Sequence, residues 1–257
     1  EYAPPVAFAA HRALIGGLAL LLLLKLTGRP IRLASPGPMI AVALTQVTGF
    51  MAFQSLALMA GGAGKTAILI FTMPIWTLLM AWPILGERIR GTQWLAAIST
   101  LAGLMLIIEP WNMHTALLGK VLGVIAALCW AVGTMLVKRY RTRLPDDLLV
   151  LTTWQIVLGS LPLALLALVM PEPAVRWSGD YVAILIFVSL VSLSLCWLLW
   201  LYILNRLPAW EASLSVLGTP VVAIATSRAI LNEAFTMTEI AGIVLIAAGL
   251  ALLSLLG

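Results

Sequence analysis

The sequence predicts an all-α integral membrane protein built as an inverted five-plus-five helix repeat, with nine spans present and the first helix missing. Three observations carry this. The 257-residue chain is 62% hydrophobic and only 10% charged, with a mean hydropathy of +1.09, whereas a soluble domain carries roughly a quarter charged residues. Its apolar stretches are long enough to cross ~30 Å of hydrocarbon as helices, which satisfy their own backbone groups; the short alternating segments of a β-barrel are absent. The chain also matches itself at a shift of 146 residues. Pro74 falls on Pro220, Glu87 on Glu233, Thr92 on Thr238, and Ala102-Gly103-Leu104 on Ala248-Gly249-Leu250. Internal duplication of a multi-span protein points to a transporter with its site between the repeats.

The spans follow in order, punctuated by glycine and proline. The first, Pro4–Leu26, opens on two prolines and stops before Gly28-Arg29-Pro30. The second, Pro38–Ala60, ends at Gly61-Gly62. The third, Gly64–Leu85, carries Pro74 in mid-span, where proline removes a hydrogen bond and kinks a helix. The fourth, Thr92–Ile108, stops at Pro110-Trp111-Asn112, and the fifth, Leu117–Val137, runs into a basic stretch ending at Pro145. The sixth, Leu148–Met170, ends at Pro171. The seventh, Tyr181–Leu204, is set off by Leu207-Pro208 from the eighth, Ala209–Leu231, whose Pro220 mirrors Pro74. Thr238–Leu256 is the ninth. No connection is long enough for a soluble catalytic domain.

Spans two, three and four match spans seven, eight and nine. Span one matches span six at a shift near 143, which pairs Gly16 with Gly159 and Arg12 with Gln155. Span five has no partner, so one helix before Glu1 would complete the pattern. The first repeat is then 1–116 and the second 117–257. An odd number of spans per repeat makes the halves antiparallel across the membrane.

Basic residues orient the chain. Alternating the loops places Lys25, Arg29, Arg32, Arg88, Arg90, Lys138, Arg139, Arg141, Arg143 and Arg206 on one side, ten of the fifteen Lys and Arg. That side is expected to be cytoplasmic, with the C-terminus inside and the protein multi-pass in the inner (plasma) membrane. The net charge of +5 therefore reads as topology, and nucleic acid is not expected as a partner. The expected partners are the lipid bilayer and a small-molecule substrate, with the chain a monomer.

Gln46, Phe50 and Gln54 recur at i, i+4, i+8 and share a helix face. Amides in an apolar helix must find partners, so this stripe either lines a cavity or bonds neighbouring helices. The shift places Ser192, Cys196 and Trp200 on the corresponding face of span seven. Trp76, Thr72 and Met73 on span three, Ser215 and Thr219 on span eight, and Trp130 with Thr134 on span five are further cavity candidates, as is the deep indole of Trp197. Pro74 and Pro220 are kink or gating candidates, since bent helices surround the midplane site of inverted-repeat transporters. Arg12 is the only basic residue well inside a span. It reads as a structural charge that ties helix ends together or snorkels outward, against the alternative of a functional intramembrane charge. Glu87 and Glu233 each end a span on opposite faces and read as structural charges that pin helix ends.

Enzyme readings find no support. There is no GxSxG, HExxH or GxxxxGK[ST] motif, and His11 and His114 lie on separate segments. Cys129 and Cys196 lack metal-like spacing. No metal or cofactor is expected.

Leu85-Gly86-Glu87-Arg88-Ile89 with Gln93 and Ala102-Gly103 resembles the end of an EamA repeat of the drug/metabolite transporter superfamily, and Leu231-Asn232-Glu233 through Gly242 and Ala248-Gly249 resembles its second copy. Ala3-Pro4-Pro5 with Arg12 resembles the family's second helix. Gly119 through Trp130, Gly133 and Lys138-Arg139 resembles the opening helix of the second repeat. Asn232 and Ala234 depart from the Gly86 and Arg88 of the first copy. The resemblance implies ten helices and export or exchange of amino acids and other small metabolites, with the YddG-type amino-acid exporters as the expected subgroup. A broad-specificity multidrug or metabolite exporter is the alternative within the class, and a non-transporting membrane scaffold the alternative outside it.

Overall fold

The computed structural model describes residues 2–33, 35–61, 69–89, 91–108, 117–219, 221–222 and 236–256. Among these, helices follow the expected spans in order. They are α1 (Pro5–Leu26), α2 in three segments (Pro36–Val42, Ala43–Gly49, Phe50–Gly61), α3 (Met73–Leu85), α4 (Gln93–Ile108), α5 (Leu117–Arg139) and α6 (Leu148–Val169). Next come α7 in three segments (Gly179–Phe187, Val188–Leu195, Cys196–Arg206), α8 (Ala209–Ser215) and α9 (Met237–Leu256). Among the described residues α1, α2, α5, α6 and α7 are long and apolar enough to cross a membrane. At 22 residues, α1 spans about 33 Å.

Local chemistry starts and stops these helices. Pro5 opens α1 at a position where its missing N–H is harmless. The next two donors, the N–H groups of Val6 and Ala7, reach the Glu172 carboxylate at 3.1 and 2.9 Å. Asp147 caps α6 by accepting from Leu149 N at 2.9 Å and from Val150 N. Ser178 accepts from Tyr181 N at the start of α7. Gly86, at φ +71°, ends α3 in the left-handed conformation that glycine adopts without strain. Leucines such as Leu18, Leu22, Leu165 and Leu168 project outward, as a lipid-facing surface requires.

The repeat is visible in the packing. The middle segments of α2 and α7, Ala43–Gly49 and Val188–Leu195, are both π-helical and lie at repeat-equivalent positions. Each is crossed by a glycine. A Cβ on Gly159 would lie 2.4 Å from Val47 Cβ and 2.9 Å from Ala43 O; on Gly16 it would lie 2.9 Å from Ser194 Oγ and 3.1 Å from Ser189 O. Thr48 Oγ1 donates to Gly159 O at 2.7 Å, and Ser194 Oγ donates to Gly16 O at 3.3 Å. These are the same contact made twice.

The equivalent helices α4 and α9 pack on each other. Gly103 abuts Gly242 and Ile246, while Gly249 abuts Ala96 and Thr100. Higher numbers on one helix meet lower numbers on the other, so the two run antiparallel, as an inverted repeat demands. Ser99 Oγ donates to Leu245 O, its own repeat partner, at 2.8 Å.

One expectation is corrected here. Pro74 does not kink a continuous span. The chain breaks in a turn at Phe71–Thr72, and Pro74 occupies the first turn of α3. Thr72 Oγ1 donates to Leu69 O at 2.6 Å across that break. Span eight is also interrupted, by a turn at Val216–Leu217 after α8. Pro220 and Glu233 lie outside the described residues.

The helix ends form two polar rims. At one, Arg29 pairs with Asp147, Arg141 donates to Asn205 Oδ1 at 2.8 Å, and Lys138 Nζ reaches Leu207 O. Burial pushes the Asp147 carboxyl up, but Arg29 and the two helix N–H groups more than offset this and hold it below its ordinary value. At the other rim Arg176 N donates to Tyr2 O at 2.8 Å, and His11 Nδ1 lies 3.2 Å from the Tyr181 hydroxyl.

Candidate functional site

A cavity of about 490 Å³ opens between α1, α2, α3, α5, α7 and α8. Its size falls within the range of small-molecule sites. Helix α2 contributes Phe50 and Gln54 from the α-helical segment that follows its π turns. Helix α7 contributes Ser192, Cys196, Trp197 and Trp200, and α5 contributes Trp130. Met73 comes from just beyond the break before α3. Ser215 and Thr219 flank the break after α8. Both interrupted helices thus present their breaks to one space, as the discontinuous helices of transporters do.

Phe50, Trp130, Trp197 and Trp200 form an aromatic cluster in the wall. The Trp130 ring centroid lies 4.9 Å from Phe50, 5.2 Å from Trp197 and 5.4 Å from Trp200, distances typical of tilted and edge-on ring pairs. The indole N–H groups of Trp197 and Trp200 are buried without an acceptor. Gln54 is half-buried and makes no hydrogen bond among the described residues. Arg12 also lines the cavity, and its Nε is buried without a partner.

Phe50, Gln54, Trp130, Ser192, Cys196, Trp200 and Thr219 therefore face one space. Gln46 does not, and its place on the stripe is corrected. It is fully buried, accepts from Gln155 Nε2 at 2.6 Å and donates to Thr134 Oγ1 at 3.3 Å. The π turns between Gln46 and Phe50 break the 3.6-residue period, which rotates Gln46 into the contact between α5 and α6. Trp76 is not among the residues around this cavity; it is half-buried against the core and donates to Thr72 Oγ1 at 3.3 Å. Arg12 ties no helix ends together among the described residues.

Glu87 accepts from Ala209 N at 2.7 Å, so it holds the start of α8, a helix of the other half. The sequence reading passed over Met51, Leu193, Leu199, Ile203, Ala212 and Val216 of the cavity wall. Apolar residues in an apolar helix carry no mark of which way they face.

Comparison with known proteins agrees with this architecture. A solved crystal structure superposes with a TM-score of 0.84 at 19% identity, covering 99% of this chain and 90% of that one; it shares the fold. The uncharacterized transporter YoaV of Bacillus subtilis is 26% identical over 253 residues, 96% of this chain and 86% of its own length. A protein of Salmonella typhimurium named "Probable amino-acid metabolite efflux pump" is 25% identical over 261 residues, covering 97% of this chain and 85% of its own length. The EamA-like transporter family profile matches twice, at residues 1–109 and 117–255. Duplicated halves, broken helices around a cavity and this double match lead to one conclusion: the chain is a multi-pass membrane transporter that belongs to the EamA-like family of the drug/metabolite transporter superfamily.

Proposed function

We propose that the protein exports or exchanges small organic metabolites, amino acids foremost, by alternating access through the cavity between its halves. The observation that carries this is the cavity itself, bounded by two interrupted helices and combining an aromatic cluster with the polar side chains of Arg12, Gln54, Ser192 and Thr219. Such a site can hold the apolar body of a small solute and orient its polar end. The relative of Salmonella typhimurium named for amino-acid metabolite efflux supports the substrate class. We place the repeat boundary between residues 116 and 117, the protein in the plasma membrane, and the rim holding Arg29 and Arg141 in the cytoplasm, following the excess of basic residues there. The aromatic cluster in the wall also suits a broader metabolite or multidrug exporter.

Counterflow into proteoliposomes with a panel of labelled amino acids tests the reading. Accumulation of one or more against an unlabelled internal pool is expected. Accumulation of unrelated drugs with no amino acid moving would favour the broader exporter, and no flux of either would overturn the reading.

A further inference from the structure

Arg12 is a cation in an apolar wall without a counter-charge. Its side chain forms no hydrogen bond or ion pair with any described residue, and its Nε is sealed from solvent. No described carboxylate lines the cavity. Glu172 is bonded to the start of α1, Glu87 to the start of α8, and Asp147 to Arg29. A guanidinium held among apolar helices is strongly unfavourable unless an anion or water-filled space compensates it.

The repeat-equivalent position is paired inside the protein, although its Oε1 is left without a partner. Gln155, the partner of Arg12 in the second half, is fully buried and donates to Gln46 Oε1 at 2.6 Å. Under the 146-residue shift Gln46 becomes Ser192, whose side chain is much shorter and lies exposed in the cavity. One half closes this pair with its own side chains. The other leaves a cation facing open volume.

We propose that Arg12 anchors the carboxylate of the transported solute, and that an α-ammonium group is dispensable for recognition. This rests on the reading of the cavity as an amino-acid site. Guanidinium and carboxylate match as a charge-assisted, two-pronged pair. The apolar remainder of the solute lies on Phe50, Trp130, Trp197 and Trp200. No described carboxylate lines the wall to complement an ammonium, and the indole faces that remain attract a cation less strongly than a guanidinium holds a carboxylate. N-acylated amino acids and 2-oxo acids therefore bind alongside the parent amino acids, whereas esters and amines bind more weakly.

The test uses the purified full chain and five probes of one shape: leucine, N-acetylleucine, 4-methyl-2-oxopentanoate, leucine methyl ester and 3-methylbutylamine. Intrinsic tryptophan fluorescence reads binding, and labelled leucine counterflow reads transport, with the other four as competitors. The three carboxylates are expected to bind within about threefold of one another, and the ester and amine at least about tenfold more weakly, a gap of about 1.4 kcal/mol. Arg12→Gln should erase that gap, with Arg12→Lys retaining part of it. Ser192→Gln, which installs the partner found in the other half, should weaken carboxylate binding as well.

Equal binding of the ester or amine overturns the proposal, as does unchanged carboxylate binding in Arg12→Gln. It is also overturned if leucine binds while its N-acetyl and 2-oxo forms do not, or if none of the five binds. Leucine flux that the ester blocks as well as N-acetylleucine does removes the anchor and leaves amino-acid export standing. Carboxylate binding without flux of any labelled amino acid does the reverse.

Discussion

Gln46 and Gln54 lie about two helical turns apart on α2, yet one is locked in helix packing and the other borders open space. Spacing put them on one stripe, and for Phe50 and Gln54 the α-helical period applies. Gln46 sits within the π segment, where Gly159 crosses close over Val47. No local pattern in the sequence announces a tertiary constraint of that kind. The two amides should respond differently to truncation. Gln46→Ala leaves Gln155 without its acceptor and is expected to cost about 1–3 kcal/mol of stability. Because the two share one bond, adding Gln155→Ala should cost less than the sum of the single changes, measured by unfolding in detergent. Gln54→Ala should leave unfolding unchanged and lower amino-acid flux by about five- to a hundredfold. Normal flux in that variant would remove Gln54 from the site.

At the scale of elements, Pro74 marked the right helix but not the right distortion, while its repeat partner Pro220 lies outside the described residues. A proline ten residues into an apolar stretch reads as a kink, yet the same residue fits the first turn of a new helix equally well, and the chain takes that course at Pro74. Arg12 shows the same limit, because its surroundings depend on α7, far along the chain. The α4–α9 crossing was more legible, since Ala102-Gly103 and Ala248-Gly249 repeat at the fixed shift. Its geometry leaves no room for a side chain: a Cβ on Gly103 would fall 2.6 Å from Gly242 O. Gly103→Leu is expected to cost at least about 1–3 kcal/mol through overpacking. Gly179→Ala, where nothing lies within 4 Å, should be close to neutral. Equal thermal unfolding of the two variants would mean that the α4–α9 contact is not tight.

The whole molecule is two copies of one design turned against each other, and this was the part most open to sequence reasoning, because duplication leaves its mark on every helix it copies. The two polar rims follow from it. Cysteines at Arg141 and at Glu172, in a variant lacking Cys129 and Cys196, should react with an impermeant maleimide from opposite faces, the Glu172 site from outside intact cells. Labelling of both from outside would reverse the expected orientation. The paired crossings of glycine over π turn have a further consequence. They are built alike but are not equally tight: Thr48 lies 2.7 Å from Gly159 O, whereas Ser194 lies 3.3 Å from Gly16 O. In an upside-down pair the opposite state needs no new parts, because the halves can trade roles, the slack joint drawing in as the taut one lets out. Spin-label pairs across α2–α6 and across α1–α7 should then change separation in opposite senses when solute is added, and movement in the same sense would contradict the exchange. Two states that are permutations of one set of contacts lie near each other in energy. A machine of that kind is expected to run in either direction, following the solute gradient, when counterflow is measured with the gradient set each way.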